Sequence, residues 1–248
     1  MDKLSIAGVI LAFSAVGFGH TLAGGSLSDL VNLHAFIIVI GGTIGAVMLQ
    51  TPAEQFVLAI KSIPKAWQKS NFDFSRQSKL ILSWSHTVRK DGYLVLQKHR
   101  QAADPFSLLG LEMLIDGAEP QHLKQSLEDV LDLEQNRLEK QAGVFETMGG
   151  YCPTVGILGA VLGLIQAMAF LTSPEQLGQG IAVAFVATIY GVGFANFVFL
   201  PLANKLRALA GERAIYQEMT LTGLVCIAEG AGSLEVQRRL ASFTWERG

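Results

Sequence analysis

Charged residues are scarce in this sequence: Asp, Glu, Lys and Arg make up 16% of its 248 positions, against about 25% in ordinary soluble domains. Half of the positions are hydrophobic, and the mean hydropathy is +0.37. The formal net charge is −2, so there is no basic excess of the kind that binds nucleic acid. This composition is typical of a membrane protein and argues against a nucleic-acid-binding domain.

Cysteines and catalytic motifs are also few or missing. The two cysteines, Cys152 and Cys226, are far apart in the sequence and match no metal-ligand spacing. No GxSxG, HExxH, Walker or CxxC motif is present. We therefore expect two free thiols, no metal site, no cofactor and no enzymatic activity.

Four long runs contain no charged residue. A helix of about 20 residues crosses a hydrocarbon core of about 30 Å, and these runs reach or approach that length. The first run resembles a signal peptide, but its 19 uncharged positions exceed the usual apolar region of about 7 to 15, which favours a retained span. The sequence thus predicts four transmembrane helices, at residues 4–22, 33–49, 148–171 and 180–202.

Two polar segments lie outside these runs. Residues 53–147 show helical periodicity and predict a helical cytoplasmic domain, and residues 203–248 predict a cytoplasmic tail. Asp104 and Pro105 mark the start of one helix, and Gly117 marks its end. A further helix opens at Pro120 and meets no breaker before the third run, so we expect one long helix that continues into it.

The positions of the basic residues predict the topology. Of 19 Lys and Arg residues, 12 lie between residues 53 and 147, six follow residue 203, one is Lys3, and neither short turn has any. Because positive charge stays on the cytoplasmic side, both termini and the large polar block are predicted to be cytoplasmic. The fold class is therefore an all-α integral membrane protein with four spans, a helical cytoplasmic domain between the second and third, and a cytoplasmic tail.

The third and fourth runs are rich in small residues and poor in ionisable ones. Small residues recur along both, which predicts close helix packing: Gly156, Gly159 and Gly163 in the third, and Ala184, Ala187, Gly191 and Ala195 in the fourth. Ion carriers usually contain an intramembrane carboxylate, and none occurs in the four runs. If the protein conducts an ion, a second polypeptide must supply the charge.

Three motifs carry a family resemblance that covers nearly the whole chain: GGYCPTVGILGAVLGLIQAM, GIAVAFVATIYGVGFAN and FLPLANKL. With two spans and a polar block before them, the sequence resembles the flagellar motor stator A subunit, the MotA/PomA family. The resemblance implies a bacterial inner-membrane ion channel in which a pentamer of A subunits surrounds two copies of a single-span B subunit. It also implies that the B subunit carries the ion-binding aspartate and that the cytoplasmic domain contacts the rotor switch protein.

The resemblance assigns roles to particular positions. The family's two coupling prolines correspond to Pro153 and Pro201, where a missing N–H leaves a carbonyl unpaired and bends the helix. The rotor-interacting charges correspond to Arg89 and Lys90, whereas Gln97 stands where the family has an acidic residue. This departure predicts an altered rotor preference and is compatible with an auxiliary as well as a main stator.

The coupling ion is predicted from two positions on the ion path. Sodium-type members have threonines at both, whereas this chain has Ala160 at the first and Thr188 at the second. With one hydroxyl ligand absent, a desolvated sodium ion would lack an oxygen, so we expect proton coupling.

Two other functions remain as alternatives. The first is a proton-driven energiser of outer-membrane processes of the TolQ/ExbB type, although its members usually have three spans. The second is a membrane scaffold without ion flux, suggested by the absence of charge within the runs.

Overall fold

The computed structural model describes residues 3–68, 72–172 and 174–245, and within these ranges all regular structure is helical. The chain divides into two compact units. The first unit comprises Met1–Lys69 and Glu139–Arg207, and the second comprises Ser70–Leu138 and Ala208–Gly248. The second unit therefore joins most of the predicted cytoplasmic domain to most of the predicted tail, and its boundaries differ from residues 53 and 147.

The first unit begins with two apolar helices joined by a short turn. Helix α1 spans Lys3–Leu22, and Ser26 starts a capping box that closes the turn. The next helical stretch is continuous: α2 (Leu33–Phe36), a π-turn (Ile37–Gly41) and α3 (Gly42–Gln50). The helix ends at Gln50, and Thr51 after it is in extended conformation.

Helix α4, Ala53–Ala66, follows at once and belongs to the first unit. It has one apolar face and one polar face, and its buried positions are Ala59, Ser62 and Ala66. A helix of this pattern lies at a boundary between an apolar and a polar environment.

Two very long helical stretches complete the first unit and enter the second. Helix α7 runs from Pro120 to Met168, so the predicted continuation into the third span is confirmed. The second stretch consists of α8 (Pro174–Phe194), a π-turn (Ala195–Phe199) and α9 (Leu200–Ala228). The third predicted span therefore ends three residues early, and the predicted tail begins inside a helix.

Three helical stretches are long and apolar enough to cross a membrane, within Leu27–Gln50, Pro120–Met168 and Leu177–Ala228. The apolar part of the first helix, Ile6–Leu22, is shorter than these three stretches. The protein is thus an all-α membrane protein, and the shorter helix α1 corresponds to the first predicted span, residues 4–22.

The second unit is built around a core of large apolar side chains. Its elements are α5 (Phe74–Asp91), a 3-10 helix (Tyr93–Ala102), α6 (Pro105–Ile115), α10 (Ser233–Trp245) and the parts of α7 and α9 that lie within this unit. The fully buried core residues include Ile81, Trp84, Leu96, Leu111, Leu127, Leu224 and Leu240.

A small polar network lies inside this core. The Gln77 side-chain amide donates hydrogen bonds to Ser107 Oγ at 2.8 Å and Thr220 Oγ1 at 3.0 Å. All three side chains are buried. Because buried polar groups cost free energy unless they are paired, this network fixes how α5, α6 and α9 align within the unit.

We expect Asp104→Ala to lower the free energy of unfolding by about 1 kcal/mol, because the side chain caps α6. Asp104 Oδ1 accepts hydrogen bonds from the backbone N–H groups of Phe106 and Ser107 at 3.1 and 3.2 Å. Asp116→Ala, at the exposed end of the same helix, is the control. Thermal unfolding of the purified chain in detergent, followed by circular dichroism, compares the two; equal midpoints would contradict the capping role.

Candidate functional site: the paired spans and the exposed charges

The third and fourth predicted spans touch backbone to backbone. A Cβ atom added to Gly156 of α7 would lie 3.0 Å from the Ala187 carbonyl oxygen and 3.0 Å from Gly191 Cα on α8. A Cβ atom on Gly191 would lie 2.8 Å from the Cys152 carbonyl oxygen. At Gly191 this is closer than real Cβ atoms come to backbone, and at Gly156 the facing helix would have to move by a few tenths of an ångström to admit a side chain.

The same contact continues along the pair. A Cβ atom on Gly163 would lie 2.7 Å from the Ala184 nitrogen, and one on Gly180 would lie 2.7 Å from the Ala167 nitrogen. The small-residue faces predicted from the sequence therefore pack against each other within this chain.

The two predicted ion-path residues flank this contact. Ala160 follows Gly159, whose added Cβ atom would lie 2.9 Å from Ala187 Cβ, and Thr188 follows Ala187. Both Ala160 and Thr188 are half-buried, whereas Ala187 is fully buried. The structure thus brings the two positions to neighbouring parts of the helix pair, at the edge of its packed face.

Several polar side chains of these spans donate hydrogen bonds to backbone carbonyl groups of their own helix. Thr188 Oγ1 donates to the Ala184 carbonyl at 3.2 Å, and Asn196 Nδ2 donates to the Val192 carbonyl at 2.9 Å. Thr154 Oγ1 donates to the Tyr151 carbonyl at 2.7 Å. The hydrogen-bonding capacity of these side chains is thus used within their own helices. An ion beside them would still need a counter-charge from another group.

Tyr190 is the exception, and sequence reasoning missed its partners. Its hydroxyl donates to the Leu30 carbonyl at 2.7 Å and accepts from the Asn32 N–H at 3.1 Å. These bonds tie α8 to the segment just before α2. The sequence separation of about 160 residues leaves no local signal for them.

The two proline positions lie on the paired helices. A Cβ atom on Gly191 would be 3.3 Å from Pro153 Cα, so Pro153 borders the close contact. Pro201 is the second residue of α9, and only Leu200 separates it from the π-turn Ala195–Phe199. A π-turn shifts the hydrogen-bond ladder, and a proline has no N–H to contribute to it. The chain stays helical through both prolines.

An ion-pair cluster lies next to these spans on the polar side. Arg207 Nε is 3.2 Å from Glu139 Oε2, and the same guanidinium binds Glu146. The hydrogen bond and charge of Arg207 lower the pKa of the Glu146 carboxyl, and Glu146 and Glu139 raise the pKa of Arg207. The cluster links α7 to α9 just beyond the apolar segments.

The predicted rotor-interacting residues are all exposed on the second unit. Arg89 and Lys90 lie in the last turn of α5, which ends at Gly92 with φ of +79°, and Gln97 lies on the 3-10 helix that follows. Among the described residues, no carboxylate forms an ion pair with Arg89 or Lys90. Their charges are therefore available to an approaching partner.

Both cysteines are free and buried, as expected. Within the described ranges, no group of three or more His, Cys, Asp or Glu side chains is placed to hold a metal ion. The first unit thus contains a packed pair of uncharged spans, and the second unit carries an exposed cationic surface.

Comparison with known proteins places this arrangement in a channel class. Residues 98–219 match the model of the MotA/TolQ/ExbB proton channel family, and residues 6–92 match the motility protein A N-terminal model. Motility protein A of Bacillus subtilis (strain 168) is 31% identical over 98% of this chain and 91% of its own length. Motility protein A of Helicobacter pylori (strain ATCC 700392 / 26695) is 30% identical over 98% and 95%.

Two solved structures share the fold. A structure of C. jejuni MotAB matches with a TM-score of 0.92 and 27% identity, covering 98% of this chain and 96% of that one. The flagellar MotAB stator complex from Bacillus subtilis matches with a TM-score of 0.85 and 30% identity, covering 96% and 94%. The fold and the paired spans define a membrane protein of the MotA/TolQ/ExbB class. Within that class, the chain belongs to the motility protein A family.

Proposed function

We propose that proton flow drives the stator complex to which this chain belongs. As a member of the motility protein A family, the chain is the A subunit of a flagellar motor stator. One observation carries the proposal: the third and fourth spans pack backbone to backbone and contain no charged side chain. An ion path beside them therefore requires a charge from a second polypeptide. The chain itself is not an enzyme.

The partner in this proposal is a single-span B subunit that contributes the ion-binding aspartate. The two solved relatives are complexes of MotA with MotB, which supports this pairing. We further propose five copies of this chain around two B subunits, as the family resemblance implies. The TolQ/ExbB-type alternative is disfavoured, because the full-length relatives described above are motility proteins.

The proposed location is the bacterial inner membrane, with four spans and both termini in the cytoplasm. Three of the four spans are supported by their length and composition, and α1 is the remaining one. The concentration of Lys and Arg outside the spans and their absence from both short turns support the orientation.

The proposed ion path runs beside Ala160 and Thr188, which flank the closest contact of the helix pair. Because Ala160 offers no oxygen ligand, a sodium ion that lost its hydration water here would lack one replacement oxygen. A proton bound to a carboxylate needs no such ligand. Pro153 borders the same contact, and Pro201 lies further along, near the start of α9; the two prolines would bend α7 and the α8–α9 stretch when the aspartate changes charge. The long helices would carry that movement to Arg89, Lys90 and Gln97, which contact the rotor switch protein.

Deletion of the gene, with complementation by the wild-type chain, tests this function. Loss of swimming or swarming in the deletion strain supports a stator subunit, and unchanged motility in both assays contradicts it. Co-expression with candidate B subunits adds a second readout. A proton leak with one of them supports a channel, whereas a scaffold would give none with any partner.

We expect Thr188→Ala to reduce proton flux about fivefold while the complex still assembles, because one hydroxyl contributes about 1 kcal/mol through a hydrogen bond. Thr21→Ala is a matched control, since Thr21 Oγ1 also donates to a carbonyl of its own helix, that of Phe18 at 2.9 Å. Flux into vesicles and complex size are measured together. Unchanged flux in Thr188→Ala would show that the side chain only packs.

A further inference from the structure

A large apolar groove lies within the first unit and has no role in the function described above. Its volume is about 710 Å³, within the range of about 300–1,000 Å³ that holds organic ligands. Nearly all of its lining is apolar. The walls come from α1, the α2–α3 stretch, α4 and the end of the fourth span, and include Gly8, Ile40, Ile63, Phe197 and Pro201.

The two π-turns explain why the groove exists. Ile40 of the first π-turn and residues 196–199 of the second line it. A π-turn widens a helix and displaces the side chains that follow, so two such turns facing one space leave it incompletely filled. Residues in π-turns are frequent at ligand sites for this reason.

One region of the lining is cationic and amphipathic. Lys205 Nζ lies 5.6 Å from the centroid of the Trp67 ring, and both residues line the groove. Lys61 and Lys65 are exposed on α4, the helix that carries the neighbouring wall. Lysine and tryptophan at the end of an apolar segment are typical of the level of lipid headgroups. Among the described residues that line the groove there is no carboxylate.

We propose that this groove binds one acyl chain of an anionic phospholipid from the cytoplasmic leaflet, with the phosphate at Lys205. The leaflet follows from the orientation in the proposed function, on which this inference rests. The bound acyl chain contacts Pro201 and therefore adjoins the proposed coupling segment.

The test uses the complex with its B subunit in nanodiscs of phosphatidylglycerol and phosphatidylethanolamine. A phosphatidylglycerol probe with a photoreactive group on its acyl chain is cross-linked, and the labelled peptides are mapped. We expect labelling in α4 and in residues 195–202. Labelling elsewhere only would overturn the proposal.

Two glycines of α1 provide a matched pair of variants. An added Cβ atom meets nothing within 4 Å at either Gly8, which lines the groove, or Gly19, which does not. Gly8→Phe fills the groove, so we expect labelling to fall at least fivefold, whereas Gly19→Phe leaves it unchanged. Equal labelling in both variants contradicts the proposal. A smaller oligomer in Gly8→Phe alone shows that a neighbouring copy occupies the groove, and also contradicts it.

Lys205→Gln tests the headgroup separately. We expect the preference for the phosphatidylglycerol probe over a phosphatidylethanolamine probe to fall about fivefold, the effect of one lysine near an anionic surface. Lys65→Gln, on α4 but outside the lining, should keep most of the preference. An unchanged preference in Lys205→Gln overturns the assignment of the phosphate. Because labelling does not require ion flux, failure of the proton-channel function would appear in the vesicle assay alone.

Discussion

Gly191→Ala is expected to remove most swimming and to lower the amount of assembled complex, whereas Gly193→Ala behaves like the wild type. A Cβ atom at Gly191 would lie 2.8 Å from the Cys152 carbonyl oxygen and 2.9 Å from Gly156 Cα. Both are backbone atoms, so relief requires the two helices to separate. Overpacking of this kind costs about 1–3 kcal/mol.

The control lies two residues further along the same helix. An added Cβ atom at Gly193 meets nothing within 4 Å, so the change there alters helix propensity alone. Swimming speed and membrane abundance are measured for both variants in the deletion strain. If cells that carry Gly191→Ala swim normally and contain the normal amount of the protein in their membranes, the close contact of the third and fourth spans is not required for function.

Reversal of the charges at Arg89 and Lys90 to glutamate is expected to abolish torque without loss of the folded protein. Both side chains are exposed at the end of α5, so the change removes no core contact. Docking rates between charged surfaces change by an order of magnitude or more with complementarity, and a double reversal turns attraction into repulsion. Swimming should be lost while proton flux through the complex is retained.

Arg76→Glu combined with Lys79→Glu is the matched control, since these exposed residues lie on the same helix about 20 Å away. Only the reversal at Arg89 and Lys90 should be rescued by an opposite reversal on the rotor switch protein. Normal swimming of that variant, or equal loss in the control, would contradict the assignment of the rotor surface to this end of α5.

The features that the sequence predicted correctly depend on local signals. The N-cap Asp104, the continuous helix from Pro120 and the small-residue faces of the third and fourth spans all follow from residue type and spacing. The exposure of Arg89 and Lys90 also agrees with their polar surroundings. Such features need no knowledge of distant parts of the chain.

The features that were not predicted depend on distant contacts. The π-turns at Ile37–Gly41 and Ala195–Phe199 were not predicted, since both lie within long, mainly apolar helical runs that look continuous in the sequence. The bond from Tyr190 to Leu30 joins segments far apart in the chain. The assignment of residues 208–248 to the second unit likewise depends on packing that periodicity cannot indicate.

Proton uptake by vesicles that contain this chain and its B subunit tests the central claim most directly. Sodium is replaced throughout by potassium, and an inward proton gradient is applied. Because Ala160 supplies no oxygen to a sodium ion, we predict full uptake without sodium. Uptake that appears only when sodium is restored would contradict proton coupling, and no uptake under either condition would contradict the channel itself.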